Sequence, residues 1–233
     1  MGIETAPVEL SAREAGRYLR KGLLWLVLKR AFDVALASVG LLTAGPLFLA
    51  IALAIRCETR GPVFFRQLRV GRKRRPFSMW KFRKMPDDLP EQGPMLTTRN
   101  DQRLTRVGYW LERTKLDELP QLLNVLSGDM SVVGPRPEVA KFVDRATPEL
   151  WDQALSVKPG IFGPNQIRYR NEADLYPPEC ADVEAYYLSH ILPAKLEVDA
   201  RYAHEWCCLD DVWLLVRGVF ASVFGVGGSA RHS

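Results

Sequence analysis

The feature that most constrains this 233-residue chain is an apolar run without a charged residue, from Val34 to Ile55. As one straight helix the run would be about 33 Å long, which matches the hydrocarbon core of a bilayer. A single transmembrane span is the simplest interpretation. Gly45 and Pro46 lie at the centre, however, and a proline inside a helix removes a backbone donor and clashes with the preceding turn. The sequence therefore predicts a membrane bend at Gly45-Pro46.

Basic residues flank the apolar run on both sides. Because positively charged flanks stay on the cytoplasmic side of a membrane, a single span cannot satisfy both ends. A helix that enters the bilayer, bends at Pro46 and returns satisfies both, so we expect a re-entrant helix with both ends in the cytoplasm. The flanking basic residues are Lys29, Arg30, Arg56, Arg60, Arg66, Arg69, Arg72, Lys73, Arg74 and Arg75.

Two further segments are amphipathic. Residues 11–29 mix basic and apolar side chains, which is typical of a helix lying in the membrane interface. Residues 212–220 are apolar with one arginine, and this segment could lie either on the bilayer surface or in a buried core. Asp33, at the membrane boundary, is expected to be a surface acid that pairs with Arg30.

Composition and net charge limit the classes of molecule that the protein is expected to bind. Hydrophobic residues make up 47% and charged residues 25%, as in folded proteins. The net charge of +5 suits nucleic acid, an anionic membrane or phosphorylated substrates. The basic residues gather beside the apolar run and no nucleic-acid motif is present, so we expect membrane lipids and no nucleic acid as partners. The four cysteines match no zinc or redox spacing, which favours reduced thiols in the cytoplasm.

The rest of the chain predicts an α+β fold that is mostly helical. Strands are expected at 63–67 and 76–82, joined as a hairpin by the basic tip 72–75. One helix should follow Asp101 as its cap, and a second should end at Gly128. Residues 157–164 are turn-rich, and the last third is largely helical. Residues 1–60 would hold the interfacial and re-entrant helices, and 61–233 a cytoplasmic catalytic domain, together one functional unit.

The residues most suited to chemistry are the adjacent acids Asp117 and Glu118. At a helix start their carboxylates would stay ionised, and the same helix end attracts phosphate. With Arg113, Lys115 and Arg136 nearby, this pattern indicates a divalent metal and phosphoryl transfer. The alternative is structural, because Asp117 could simply cap the helix with Glu118 in its first turn.

The stretch from Thr114 to Glu138 resembles the signature of the bacterial sugar transferase family, the monotopic polyprenyl-phosphate phosphoglycosyl transferases. Two departures are visible: Glu112 stands where the family usually has a basic residue, and Gly45 stands where it often has serine. Four blocks match in order: 29–33 with the apolar run, 61–67 through 81–85, the Asp-Glu block through 135–137, and 158–160 through 169–172.

The resemblance implies a two-step transfer of a hexose 1-phosphate from a UDP-sugar to polyprenyl (undecaprenyl) phosphate. Asp117 would be the nucleophile and Glu118 the ligand of Mg²⁺. Arg136 would bind phosphate, with Arg113, Lys81 and Arg83 as further phosphate contacts. It also implies a monotopic protein of the bacterial inner membrane with its active site on the cytoplasmic face.

Two other functions remain open at this point. A magnesium-dependent phosphatase or nuclease acting at the membrane would use the same acids and the same basic groups. A non-enzymatic membrane scaffold would explain the amphipathic segments but not the Asp-Glu and Pro-Arg-Pro arrangement. The sugar, the polysaccharide pathway, the roles of the C-terminal helices and the oligomeric state are left open by the sequence.

Overall fold

The computed structural model describes residues 12–87, 101–145, 147–169, 172–177, 180, 182–206 and 208–224. Its first element is a single helix, α1, from Ala12 to Glu58, with Pro46 inside it. The structure thus has one helix where the sequence predicted two, an interfacial helix and a membrane helix. The amphipathic character predicted for residues 11–29 concerns side chains that lie mostly outside the described residues.

The apolar part of α1 is suited to a membrane. The portion Trp25–Glu58 is long and apolar enough to cross a bilayer, and few of its side chains are buried by the rest of the chain. Large apolar side chains such as Leu42, Leu49 and Leu53 are exposed. The protein is therefore expected to associate with a membrane, and the re-entrant path of α1 stays a prediction.

The predicted hairpin is confirmed. Strand β1 (Phe64–Val70) pairs antiparallel with β2 (Pro76–Phe82), so that Phe64 lies opposite Phe82. A 3₁₀ turn at Arg72–Arg74 forms the basic tip. Both strands lie where they were expected, although β1 runs three residues further than predicted.

Helix α2 (Arg106–Thr114) differs from its prediction at the start. Thr105 is its cap and accepts a hydrogen bond from the Gly108 backbone N–H at 2.8 Å. Asp101 instead accepts from the Arg103 backbone N–H in the preceding turn, so it does not cap this helix. Helix α3 (Gln121–Ser127) ends as predicted at Gly128, whose φ of 92° lies in the left-handed region that glycine adopts without strain.

The remainder is a series of short elements followed by longer helices, as predicted for the last third. A parallel pair of short strands, β3 with β4, was not predicted. The elements are β3 (Ser131–Val133), α4 (Ala140–Val143), α5 (Pro148–Ala154), β4 (Gly160–Phe162), α6 (Pro164–Arg168), a 3₁₀ turn (Glu172–Leu175), α7 (Val183–Tyr186), a π-helical turn (Tyr187–Ile191), α8 (Leu192–Glu205) and α9 (Cys208–Phe224).

Helix α1 packs on this body along two stretches. Near its middle, Asp33 is buried and accepts hydrogen bonds from Ser131 Oγ and the Val132 N–H, both at 2.9 Å. The expectation of a surface acid paired with Arg30 is therefore wrong, because Asp33 is buried against two donors of β3. Arg30 instead donates to the carbonyls of Val125 and Leu126 at the end of α3.

The second stretch of α1 packs through apolar side chains. Ile51 and Ile55 share a core cluster with Phe82 of β2 and Leu111 of α2. Phe48 contacts Phe82, with ring centroids 5.1 Å apart. Helix α9 has a mixed character: Leu214 is buried, while a row of apolar side chains on its other side is exposed, so it fits neither a fully buried core helix nor a fully exposed one.

Candidate active site

The two acids lie in a 3₁₀ turn, Leu116–Glu118, that connects α2 to α3. Lys115 precedes the turn in the left-handed conformation, with φ of 61°, and it ends α2. Helix α3 begins only after Pro120 and is short. The acids therefore do not occupy the first turn of an α-helix as predicted, and their charge state is governed by neighbouring side chains.

Glu118 is held by two basic residues. Arg136 Nη2 donates to Glu118 Oε1 at 2.7 Å, and Arg136 Nη1 donates to Oε2 at 3.4 Å. Lys81 Nζ lies 3.6 Å from the same Oε1. Burial alone would raise the pKa of Glu118, but the charges of Arg136 and Lys81 outweigh it and hold that pKa far below its usual range. Glu118 is thus an ionised carboxylate.

The two cations respond in opposite ways. Glu118 raises the pKa of the Arg136 guanidinium, against the effect of burial, so Arg136 is permanently charged. Burial lowers the pKa of the Lys81 ammonium to about 8, although Glu118 opposes this shift. The structure therefore brings Lys81, Glu118 and Arg136 together, as the sequence interpretation required of a phosphate-binding cluster.

The oxygens of Asp117 have fewer hydrogen-bond partners than those of Glu118. It is 3% exposed, and its Oδ1 is buried without a hydrogen-bond partner. Burial and the negative charge of Glu118 raise the pKa of the Asp117 carboxyl, and Lys81 and Lys84 oppose them only in part. The sequence predicted that a helix terminus would favour the ionised form of Asp117, whereas its surroundings in the 3₁₀ turn raise the pKa. The unpartnered Oδ1 marks a place where a positive or electrophilic partner is needed.

Lys84 is a site residue that the sequence analysis did not single out. Its Nζ pairs with Glu112 Oε2 of α2 and lies 3.9 Å from Asp117 Oδ2. Backbone contacts of Lys84 with α2 and its cap position its side chain near Asp117. The Thr105 N–H donates to the Lys84 carbonyl at 3.1 Å, and Gly108 packs so tightly on that carbonyl that a Cβ would overlap it. No local sequence signal marks this contact, which joins two segments distant in sequence.

A second polar network surrounds Glu138, next to Arg136, and it was also missed. Arg69 donates to Glu138 Oε1 at 3.0 Å and Tyr187 donates to Oε2 at 2.6 Å. The backbone N–H of Val139 donates to Oε1 as well. Burial would raise the pKa of Glu138, yet the charges of Arg69 and Lys195 bring it below the usual range. Each oxygen of Glu138 is therefore satisfied.

The other predicted residues are placed elsewhere. The Arg83 guanidinium donates to the carbonyls of Pro62, at 2.6 Å, and Thr59, at 3.2 Å. It thereby ties the end of the hairpin to the segment that follows α1. Arg113 is exposed on α2 and donates to Tyr109 Oη at 3.3 Å. Gly45 and Pro46 lie in the apolar part of α1, where a Cβ added to Gly45 would meet nothing within 4 Å.

The donor set fits a hard cation that keeps substrate oxygens as ligands. Within the described parts of the chain, no group of three or more His, Cys, Asp or Glu side chains forms a ready-made metal centre. Mg²⁺, however, is often bound by one or two carboxylates plus substrate phosphates. Both oxygens of Glu118 already accept from Arg136, so Glu118 would share its carboxylate with the cation, while Asp117 Oδ1 has no partner.

Comparison with known proteins identifies one family. The profile of a family described as bacterial sugar transferase matches residues 24–225. The UDP-glucose:undecaprenyl-phosphate glucose-1-phosphate transferase of Escherichia coli is 39% identical over 85% of this chain, which spans 40% of that protein's length. An N-acetylgalactosamine-phosphate transferase of Aeromonas hydrophila is 40% identical over 65% of this chain and 36% of its own.

A relative of similar size is also found. An uncharacterized sugar transferase of Bacillus subtilis is 35% identical over 84% of this chain and 89% of its own length. The match therefore includes a protein that consists almost entirely of the segment compared. The chain covers only about two fifths of the longer relatives, so their names describe more polypeptide than is present here.

Proposed function

Because the chain belongs to the bacterial sugar transferase family, we propose that it moves a hexose 1-phosphate from a UDP-sugar to polyprenyl phosphate. The names of the Escherichia coli and Aeromonas hydrophila relatives include undecaprenyl phosphate, which we take as the acceptor. The observation that carries the proposal is the buried Asp117 carboxylate with an unpartnered oxygen, set beside basic side chains. Of the functions left open by the sequence, the family favours the transferase.

The proposed reaction has two steps. An Asp117 oxygen attacks the phosphorus that bears the sugar, a P–O bond to Asp117 forms, and the bond to UMP breaks with the electron pair leaving on UMP. An oxygen of polyprenyl phosphate then attacks the same phosphorus, and the bond to Asp117 breaks to regenerate the carboxylate. Covalent catalysis divides the encounter of two anionic substrates into two separate events.

The surrounding charges support this assignment. Arg136 uses part of its guanidinium on Glu118, and its remaining N–H groups are available to phosphate oxygens. Lys81 adds a second positive charge on the same side. Glu118 would hold Mg²⁺, which neutralises diphosphate charge when bound. The two acids thereby have separate roles, Asp117 as nucleophile and Glu118 as the residue that organises positive charge.

The reaction can be tested on the full chain in detergent or nanodiscs with a panel of UDP-sugars. We expect about one UMP per enzyme from donor alone, and continued UMP release only with polyprenyl phosphate present. Mass spectrometry should place a phosphosugar on Asp117 in the wild type and none in Asp117→Asn. Intersecting initial-rate patterns without an adduct would instead indicate direct transfer, and full activity in excess EDTA would exclude a divalent cation.

We also propose that the protein is monotopic in the bacterial inner membrane, with α1 re-entrant and the acids on the cytoplasmic face. The support is the pair of basic flanks, together with the packing of both stretches of α1 on one body. Single cysteines introduced near Arg20 and near Arg60 of a cysteine-free variant should both resist a membrane-impermeant maleimide in intact cells. Labelling of only one would mean a true span, and Pro46→Leu should favour that span.

A further inference from the structure

The basic residues around the acids have different acidic partners. Arg136 and Lys81 are both engaged by Glu118, at 2.7 and 3.6 Å. Lys84 has a different position, since its ammonium lies 3.9 Å from Asp117 Oδ2. A substrate phosphorus bonded to Asp117 would carry its non-bridging oxygens into the same few ångströms. Lys84 is therefore placed at the attacked phosphate, on the nucleophile's side of the cluster.

Lys84 is also held at both ends. Its backbone carbonyl accepts from Thr105 and lies against Gly108 of α2. Its ammonium pairs with Glu112 of the same helix, and its side chain is only 21% exposed. A lysine normally loses side-chain entropy when it binds a ligand, and one that is already fixed loses less. The ion pair thus pre-organises a positive charge next to Asp117.

Glu112 is otherwise hard to explain. A carboxylate so close to a diphosphate site would repel the substrate, and the family pattern usually has a basic residue at this position. Paired with Lys84, Glu112 adds no net charge, and it keeps the ammonium from folding back onto solvent or onto Glu118. The positive charge beside Asp117 is supplied from the end of the hairpin, by Lys84.

We propose that Lys84 binds a non-bridging oxygen of the phosphate that Asp117 attacks, and that Glu112 is the residue that positions it. The inference rests on the proposed function, since it concerns the same phosphate. Lys84 is a catalytic residue in this scheme because its ammonium offsets charge that spreads over the equatorial oxygens in the transition state. Glu112 acts only through Lys84.

The first test removes the ammonium. Lys84→Ser is expected to slow the single-turnover release of UMP from UDP-glucose about a hundredfold. It should also weaken the calorimetric affinity for UDP-glucose about tenfold, because one phosphate contact is lost. The matched control is Lys141→Ser, which breaks an exposed Lys–Glu pair with Glu184 at 2.6 Å and should change neither quantity. A wild-type rate and affinity in Lys84→Ser would overturn the proposal.

The second test separates positioning from binding. Glu112→Gln is expected to lower the rate without weakening UDP-glucose binding, since it removes a repelling carboxylate while releasing Lys84. Lys84→Ser combined with Glu112→Arg restores a positive charge from α2, and it should recover at least about tenfold of the lost rate. A double variant no faster than Lys84→Ser would refute the role of Glu112, as would a Glu112→Gln variant identical to wild type.

The experiments can refute the proposed transfer reaction independently of the role proposed for Lys84. A wild type that binds UDP-glucose but releases no UMP from any UDP-sugar would refute the transfer reaction, while the affinities of wild type and Lys84→Ser would still decide whether Lys84 contacts the diphosphate. A wild type that does not bind UDP-glucose or any other UDP-sugar of the panel would overturn both. Melting curves of each variant confirm that the comparison is made between folded proteins.

Discussion

Asp117 is 3% exposed and the Glu138 side chain is 12% exposed, and the two acids differ in how their oxygens are satisfied. Glu138 accepts from Arg69, Tyr187 and a backbone N–H, and its pKa is lowered. Asp117 has one oxygen without a partner and a raised pKa. A saturated carboxylate contributes to stability, whereas one left short of donors costs stability and is available for chemistry. The contrast separates structural from reactive acids within one charged cluster.

The largest effect should come from the reactive acid. Asp117→Asn is expected to lower sugar-phosphate transfer by a factor on the order of 10³ or more, because the nucleophile is lost. Its melting temperature should equal or exceed that of wild type, since an amide need not be ionised in a buried place. UMP release and thermal melts measure the two quantities. A large loss of stability would remove the distinction drawn between the two acids.

The structural acid should behave in the opposite way. Glu138→Gln leaves Arg69 as a buried charge without its partner, so the free energy of unfolding should fall by about 3 kcal/mol. Activity per folded molecule should stay near wild type. Denaturant titration provides the measurement. The control is Glu184→Gln, whose ion pair is far more exposed and should matter by less than about 1 kcal/mol.

Arg136 contacts Glu118, and substituting it tests whether it acts in the reaction or in the network around Glu138. Arg136→Lys keeps the charge but loses the two-pronged contact with Glu118 and the planar fork toward phosphate. We expect transfer to fall about tenfold to a hundredfold with a small change in melting temperature. If the variant instead loses stability without a loss of rate, Arg136 belongs with the structural network around Glu138.

The smallest effect concerns a third buried acid, Asp199 of α8. Asn165 Nδ2 donates to Asp199 Oδ2, while Asn165 Oδ1 and Asp199 Oδ1 are both buried without a partner. Asp199→Asn would let the new amide donate to Asn165 Oδ1. Stability should rise, by about 1 kcal/mol or less at neutral pH.

The pH dependence of this variant has a definite sign. Burial raises the pKa of Asp199 well above its ordinary value, so the folded state binds this proton more tightly than the unfolded state. Stability that depends on the bound proton is then lost as the pH rises above the ordinary pKa of about 3.9. The advantage of Asp199→Asn over wild type should therefore grow from pH 4 to pH 8. A constant difference would mean that folding does not raise the pKa of Asp199.

Local sequence patterns predicted the parts of the fold that depend on local contacts. The hairpin followed from two short apolar and aromatic segments separated by a basic tip, and the end of α3 followed from Gly128. The parallel pair β3–β4 was missed because each strand has only three residues and its partner is distant in sequence. The close approach of Gly134 and Gly160 that permits this pairing has no local signature either.

The candidate site shows the same division. Asp117, Glu118, Arg136 and Lys81 were identified from one dense stretch and one strand. Glu138 and Lys84 were missed because their partners come from other elements, and position alone gave no sign of burial. Asp33 was misjudged for the same reason, since an acid beside a basic residue at a membrane boundary resembles a surface pair until β3 is placed against it.

The hydrogen bonds from Arg30 to the last carbonyls of α3 have a mechanical consequence. They fasten α1 to the helix that directly follows the turn carrying Asp117 and Glu118. Because these hydrogen bonds join the two helices, the depth at which α1 lies in a membrane would set the distance of the two acids from the lipid. Bilayers differ in thickness by a few ångströms, and a mismatch costs fractions of a kcal/mol per ångström. A thicker or thinner membrane would therefore shift the turn that carries Asp117 and Glu118 relative to the phosphate of the proposed polyprenyl acceptor.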